Sequence, residues 1–135
     1  MTYKSVWWSV ELPSQWVGYP DGDCSTFHAD PAVGVLQIST AHKENEIILD
    51  ADLTEFAYGR IAPGIQLERI TFGAFSGFTA SDRKNELSWQ EWWLGSKQLM
   101  VYVTYNVVHG NEPTEKDAVT GILGSLRSDR QEQVT

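Results

Sequence analysis

The sequence predicts an α+β domain with a largely antiparallel sheet of about six to seven strands and helices packed on it. Three observations carry that expectation. Several short stretches have strand-like alternation or apolar runs, only two carry a helical stripe, and most strand stretches follow one another across turn residues, as hairpins do. At 135 residues the chain matches one domain, expected over residues 1–127, with 128–135 as a mobile tail.

Lys4 to Leu12 alternates, with Val6, Trp8, Val10 and Leu12 on one side and Tyr3, Ser5, Trp7, Ser9 and Glu11 on the other, which predicts a half-buried first strand. The stretch "PSQWVGYPDGDC" holds two prolines, two glycines and two aspartates and is read as a turn region before a short strand around Ser25 to Ala29. After the turn "DPAVG", Val35 to Ala41 reads as a third strand, and "HKENE" as a connector too charged to bury. Asp52 stands three residues before Glu55, a start similar to a capping box, and Leu53, Phe56, Ala57 and Ile61 form the apolar stripe of a helix that Pro63 and Gly64 end.

Ile65 to Ser81 holds two short strands around a tight Gly73-Ala74 hairpin, and "DRKN" is the next turn. Leu87 to Leu94 and Gln98 to Val108 are the longest strand signals, joined at "GSK". "HGNEP" then leads to a last helix in which Thr114 can cap and Asp117 sits at the third position, with Val119, Ile122, Leu123 and Leu126 on the buried face.

Eighteen acidic against ten basic residues give a formal charge of −8 and a pI near 4.7. Such a surface repels a phosphate backbone, so nucleic acid is not the expected partner; the acidity serves solubility or attracts a basic protein. Cys24 is the single cysteine, so no disulfide forms within the chain, which suits a reducing compartment or simply a protein without bridges. No stretch approaches a membrane-spanning length, and "MTYKSVWWSVELP" has no apolar run of signal-peptide length. A soluble cytoplasmic protein is the expectation.

The six tryptophans raise the main question of function. Strand alternation sends Trp7 and Trp8 to opposite faces, and likewise Trp92 and Trp93. A two-residue turn at Gly95-Ser96 would put Trp92 with Leu99 and bring Gln90 and Ser88 onto the face of Val101, Val103, Tyr105 and Val107. A three-residue loop at Gly95-Ser96-Lys97 would instead put Trp93 and Trp89 there, apolar throughout except for Glu91. The second register is the one expected, with Arg69 as a candidate partner for Glu91. It leaves Trp92, Met100 and Tyr102 on the second face, with Trp7 joining them if the strands are neighbours. A helix or loop covering that face is the ordinary outcome, an exposed patch the functional one. The candidate partner-binding residues are therefore Trp92, Met100, Tyr102 and Trp7. Asp50, Asp52 and Glu55 join them as a cluster that either serves a helix N-terminus or steers a basic partner.

No catalytic constellation is visible. His28, His42 and His109 lack the spacings of a zinc site, and there is no GxSxG, P-loop or GxGxxG. Glu91 among tryptophans resembles an acid in a sugar groove, but no second carboxylate is assigned to its face. No cofactor and no metal are expected.

Leu12-Pro13-x-x-Trp16, "GVLQIS", a helix after Asp52, a long hairpin ending "YVTYN" and the close Ile122-Leu123-Gly124-Ser125-Leu126 resemble the PsbP-like superfamily over roughly the whole chain. That superfamily includes a Ran-binding nuclear import factor and the Eag chaperones of type VI secretion. The resemblance implies a curved antiparallel sheet between helices and a non-enzymatic adaptor or binding role. A compact acidic protein of this kind also suits a toxin-neutralising immunity protein. The functional expectation is a protein-binding module, an immunity protein or a secretion chaperone; the alternative is a small-molecule or carbohydrate binder using aromatic side chains of a sheet face.

Overall fold

A computed structural model of the chain describes residues 1–128. Its elements run β1 (Thr2–Lys4), β2 (Trp8–Glu11), β3 (Trp16–Asp21), β4 (Cys24–Ala29), β5 (Val35–His42), α1 (Asp50–Tyr58), β6 (Glu68–Phe72), β7 (Phe75–Lys84), β8 (Leu87–Ser96), β9 (Leu99–Val108), α2 (Glu112–Gly124) and β10 (Arg127–Ser128). Seven strands form one antiparallel sheet in the order β3-β4-β5-β9-β8-β7-β6, and β1-β2-β10 form a second. The α+β, mainly antiparallel architecture is the one the alternation predicts. The tail expected from residue 128 onward lies, apart from Ser128 in β10, outside the described residues.

Tight hairpins set the order of the large sheet. Asp21↔Cys24, Phe72↔Phe75, Lys84↔Leu87 and Ser96↔Leu99 each close a two-residue loop. The first loop residue has positive φ every time: Gly22 at 63°, Gly73 at 59°, Asn85 at 59° and Lys97 at 53°. Such loops hold neighbouring strands in one register, and with it the face each side chain takes.

The two faces of the large sheet carry separate cores. On the first, Phe27, Leu36, Ile38, Leu99, Val101, Val103, Leu94 and Trp92 pack against Trp8 and Val10 of the small sheet, Leu12 just after β2, and Val119, Ile122 and Leu123 of α2. On the second, Trp93 packs with Ala80 beneath Leu53 and Ala57 of α1, with Phe78, Met100 and Tyr102 around them.

Several expectations are corrected. Lys4 to Leu12 is not one strand: the chain reverses at Ser5–Trp7, pairing Tyr3 with Val10 and Lys4 with Ser9, and Val6 is left 66% exposed at the bend. Trp16–Asp21, read as turn, is an edge strand paired along its whole length with Cys24–Ala29. Its Pro20 is tolerated because an edge need not donate along both sides, and Gly18 makes room for Phe27, whose ring would lie 2.6 Å from a Cβ there. Asp52 does not precede α1; it sits in the first turn, where its carboxylate accepts the N–H of Leu49 at 2.7 Å. That helix ends at Tyr58, before Pro63 and Gly64, so Ile61 reaches the second core from outside it. The last helix begins at Glu112 with Pro113 in its first turn, which places Thr114 inside it. β7 runs on through Asp82–Lys84, and the turn after it is Asn85-Glu86.

The tryptophan hairpin takes neither loop considered. It turns at Lys97-Gln98, which pairs Trp92 with Val103 and Trp93 with Tyr102. Gly95, the expected turn residue, stays in the strand, opposite Met100, where its lack of a side chain admits Ile48: a Cβ would lie 2.9 Å from its Cγ2. The face of Trp92 is therefore that of Leu99 and Val101, and the ring is only 5% exposed; Trp93, not Trp92, joins Met100 and Tyr102. Trp89, expected in the core, is partly buried, with Lys84 Nζ 5.4 Å from its ring centroid.

Candidate functional site: a groove between α2 and the sheet

The first face is not covered to its end. Val119, Ile122 and Leu123 hold α2 to the sheet, while Ile70 and Phe72 of β6 lie further out and are only partly buried. The space between is a groove of about 580 Å3. Ile70, Phe72, Trp92 and Val107 line it with apolar surface, Ser81 and Gln90 of adjacent strands add polar groups, and Lys116 and Thr120 of α2 contribute to its lining. Asp82 and Glu112 are its carboxylates.

Hydrogen bonds fix the groove's polar side chains. Gln90 Nε2 donates to Thr79 Oγ1 at 3.1 Å, and Thr79 Oγ1 in turn donates to the Glu91 carbonyl at 2.7 Å. At one end, Ser88 Oγ meets His109 Nδ1 at 2.9 Å, and the same nitrogen lies 3.7 Å from Glu112 Oε2. Backbone N–H groups of Glu112 and Gly110 hold the Glu112 carboxyl below the usual range. Beneath α2, Tyr105 Oη donates to Glu115 Oε1 at 2.6 Å, and the Gly34 N–H reaches the same oxygen at 2.9 Å. Gly34 must be glycine for this approach, since a Cβ would lie 2.4 Å from Tyr105 Oη. Burial, and then Glu115, push the Tyr105 phenol well above its ordinary value.

On the second face Glu91 is 5% exposed and is satisfied by the Tyr102 hydroxyl and by Arg60 Nε at 3.4 Å. The Arg60 guanidinium lies 4.9 Å from the centroid of the Tyr102 ring. Arg69, the partner expected for Glu91, instead binds Asp50 at 2.5 Å and lies over Phe78. Burial first, then Glu91, raise the Tyr102 phenol as well. A raised tyrosine favours the folded state while both states are protonated, and that advantage is lost once the unfolded chain ionises above its ordinary value of 10.0. Urea unfolding between pH 8 and 11.5 should show stability falling above about pH 10, and falling less steeply in Tyr102→Phe/Tyr105→Phe. Equal slopes would mean that neither phenol is held protonated by the fold.

The sequence-derived candidates are not brought together. Trp92 lines the groove; Met100 and Tyr102 lie on the opposite face beside α1. Trp7, at the β1–β2 bend, stacks on His42 with centroids 4.5 Å apart and planes 14° apart. Asp52 accepts the Leu49 N–H and lies 3.2 Å from Lys43 Nζ; the first of these contacts does most to lower its carboxyl. Asp50 pairs with Arg69, and Glu55 is exposed. The acidic cluster is thus largely engaged in holding α1. Among the described residues no group of three or more His, Cys, Asp and Glu is placed to hold a metal. Ile70, Phe72, Gln90, Lys116 and Thr120 were not singled out from sequence. A signal was present at Ser88 and Gln90, the polar residues that made one hairpin register look mixed, because that mixture is the groove's lining.

The architecture defines the class of fold, and that fold is PsbP-like. It matches a cyanobacterial PsbP from Synechocystis with a TM-score of 0.53 at 10% identity, over 95% of this chain and 91% of that one. LpqN of Mycobacterium tuberculosis, involved in cell envelope biogenesis, matches with a TM-score of 0.55 at 19% identity over 90% of this chain and 82% of that one. A Bacteroides thetaiotaomicron protein matches with a TM-score of 0.68 at 15% identity; the similarity covers 94% of this chain but 47% of that one, so this chain spans about half its length. No protein-family model matches the sequence, and no curated protein matches it.

Proposed function

We propose that this protein is a non-enzymatic protein-binding module that holds a segment of its partner in the groove between α2 and the outer strands. The observation that carries this reading is the partly buried pair Ile70 and Phe72 continuing an apolar lining past the helix that covers the rest of the face. Apolar surface grouped in a concavity with a few fixed polar groups is what a binding site needs. An adaptor of secretion and an immunity protein are roles of this class, and the formal charge of −8 suits a basic partner.

Two features support a role without catalysis. Glu91 and Glu115, the buried carboxyls among the described residues, lie on opposite sides of the sheet and cannot flank one bond. The raised phenols, Tyr102 and Tyr105, each donate to one of these carboxyls, so both shifts have a structural cause. The same fold in LpqN and in a cyanobacterial PsbP suits a scaffold whose partner is chosen by its surface. A sugar platform is less suited, because stacking needs an open ring face: Trp92 is 5% exposed, and Trp89, also in the lining, is partly buried with Lys84 Nζ over its ring.

The test is a photo-crosslinking amino acid placed at Thr120, in the groove, or at Val17, 41% exposed on the other face. In the native host, the Thr120 variant should trap one protein species and the Val17 variant none. Trapping from Val17 alone, or from neither, overturns the reading.

A further inference from the structure

The groove ends at a sheet edge whose outward backbone groups have no partner among the described residues. Phe72 and Phe75 flank a two-residue loop, so they exchange both of their backbone hydrogen bonds, and Ile70 with Gly77 and Glu68 with Thr79 follow in the same phase. The N–H and C=O of Arg69 and Thr71 therefore point outward, away from β7, and β6 pairs with no other strand among the described residues. The same phase turns Ile70 and Phe72 into the groove. The opposite edge is built differently. In β3 the Asp21↔Cys24 closure puts Pro20 at an outward position, where it has no N–H to offer. One edge is blunted; the other is open beside an apolar groove.

The geometry points to β-strand addition: an extended segment of a basic partner protein hydrogen-bonds to Arg69 and Thr71 of β6 and sends alternate apolar side chains into the groove. This rests on the groove being the partner site, and it specifies how the partner is held. Period-two spacing follows from the sheet, because only every second residue of an added strand shares the face of Ile70 and Phe72. Lysine or arginine in the segment is favoured by the acidic chain and by Asp82 and Glu112, which outnumber Lys116 in the groove lining.

The probe is a random library of twelve-residue peptides displayed on phage and selected on the whole chain. Enriched peptides should carry apolar residues at alternate positions with lysine or arginine nearby. N-methylating the backbone of a winning peptide one residue at a time should weaken binding about tenfold at alternate amides and little between them. Thr71→Pro, which removes an outward N–H at a position where an edge strand accepts proline, should lose about tenfold in affinity with an unchanged circular dichroism spectrum. Helical spacing of the apolar residues, an N-methyl scan without period two, or no enrichment overturns strand addition. The Thr120 crosslink, read separately, shows whether the groove reading falls with it.

Discussion

Replacing Trp93 by alanine should lower the free energy of unfolding by about 3–5 kcal/mol, the range for deleting a fully buried large aromatic. Its ring is 0% exposed and stands among Leu53, Ala57 and Ala80, two of which are too small to close the space it would leave. The loss should fall on α1 first, since this cluster is what joins that helix to β7 and β8. Trp93→Phe should cost much less, because the indole N–H it deletes has no hydrogen-bond partner among the described residues. Trp89→Ala should cost about 1 kcal/mol or less, as expected for a ring left partly outside the core. Urea titrations of the three variants check this. Equal losses for Trp93→Ala and Trp89→Ala would contradict the register in which Trp93 pairs with Tyr102.

That contrast shows how far the sequence could be read. Alternation correctly required Trp92 and Trp93 to split across two faces, and the second face is indeed covered, by α1; Trp7 and Trp8 do not split this way, because Trp7 lies at the β1–β2 bend and packs against the same core as Trp8. The assignment within the Trp92-Trp93 doublet failed because it hung on one turn. Glycine is favoured where φ is positive, so Gly95 drew the loop toward itself; the chain uses it instead to admit Ile48, and gives the positive φ to Lys97. The reversal at Ser5–Trp7 was missed for the converse reason, since it contains no glycine, proline, asparagine or aspartate to mark it. Pro20 hid β3 by chemistry that is disruptive in a central strand and harmless at an edge, and Gly18 hid it by resembling a turn residue where it instead admits the Phe27 ring.

The buried face of α2 and the Gly73-Ala74 hairpin were legible because their signals are local: Val119, Ile122 and Leu123 repeat at helical spacing, and the hairpin is two residues long. The groove was not. It exists because Ile70 and Phe72 extend beyond the reach of a helix more than forty residues later in the chain, as the interval from Phe72 to Lys116 shows. No periodicity within either segment records that distance.

How α2 is held decides whether the groove keeps its shape, and Glu115 is the residue to change. Its Oε1 accepts both the Gly34 N–H, just before β5, and the Tyr105 hydroxyl of β9. Glu115→Ala should cost about 2–4 kcal/mol, because two donors are left without an acceptor where water is scarce, at about 1–3 kcal/mol each. Relief partly offsets this, since the second oxygen, Oε2, is buried with no partner among the described residues. Glu115→Gln should therefore stay within about 1 kcal/mol of the parent, keeping the acceptor and losing the carboxylate, and Tyr105→Phe should lose about 1 kcal/mol for one hydrogen bond. In a double-mutant cycle, Tyr105→Phe should cost little once Glu115 is alanine, because the two side chains act as one contact. Hydrogen exchange should quicken along α2 in Glu115→Ala before it quickens in β8 and β9, and crosslinking from Thr120 should weaken in step. If Glu115→Ala unfolds at the same urea concentration as the parent, this contact does not position α2. Its burial against the sheet through Val119, Ile122 and Leu123 would then set the groove by itself.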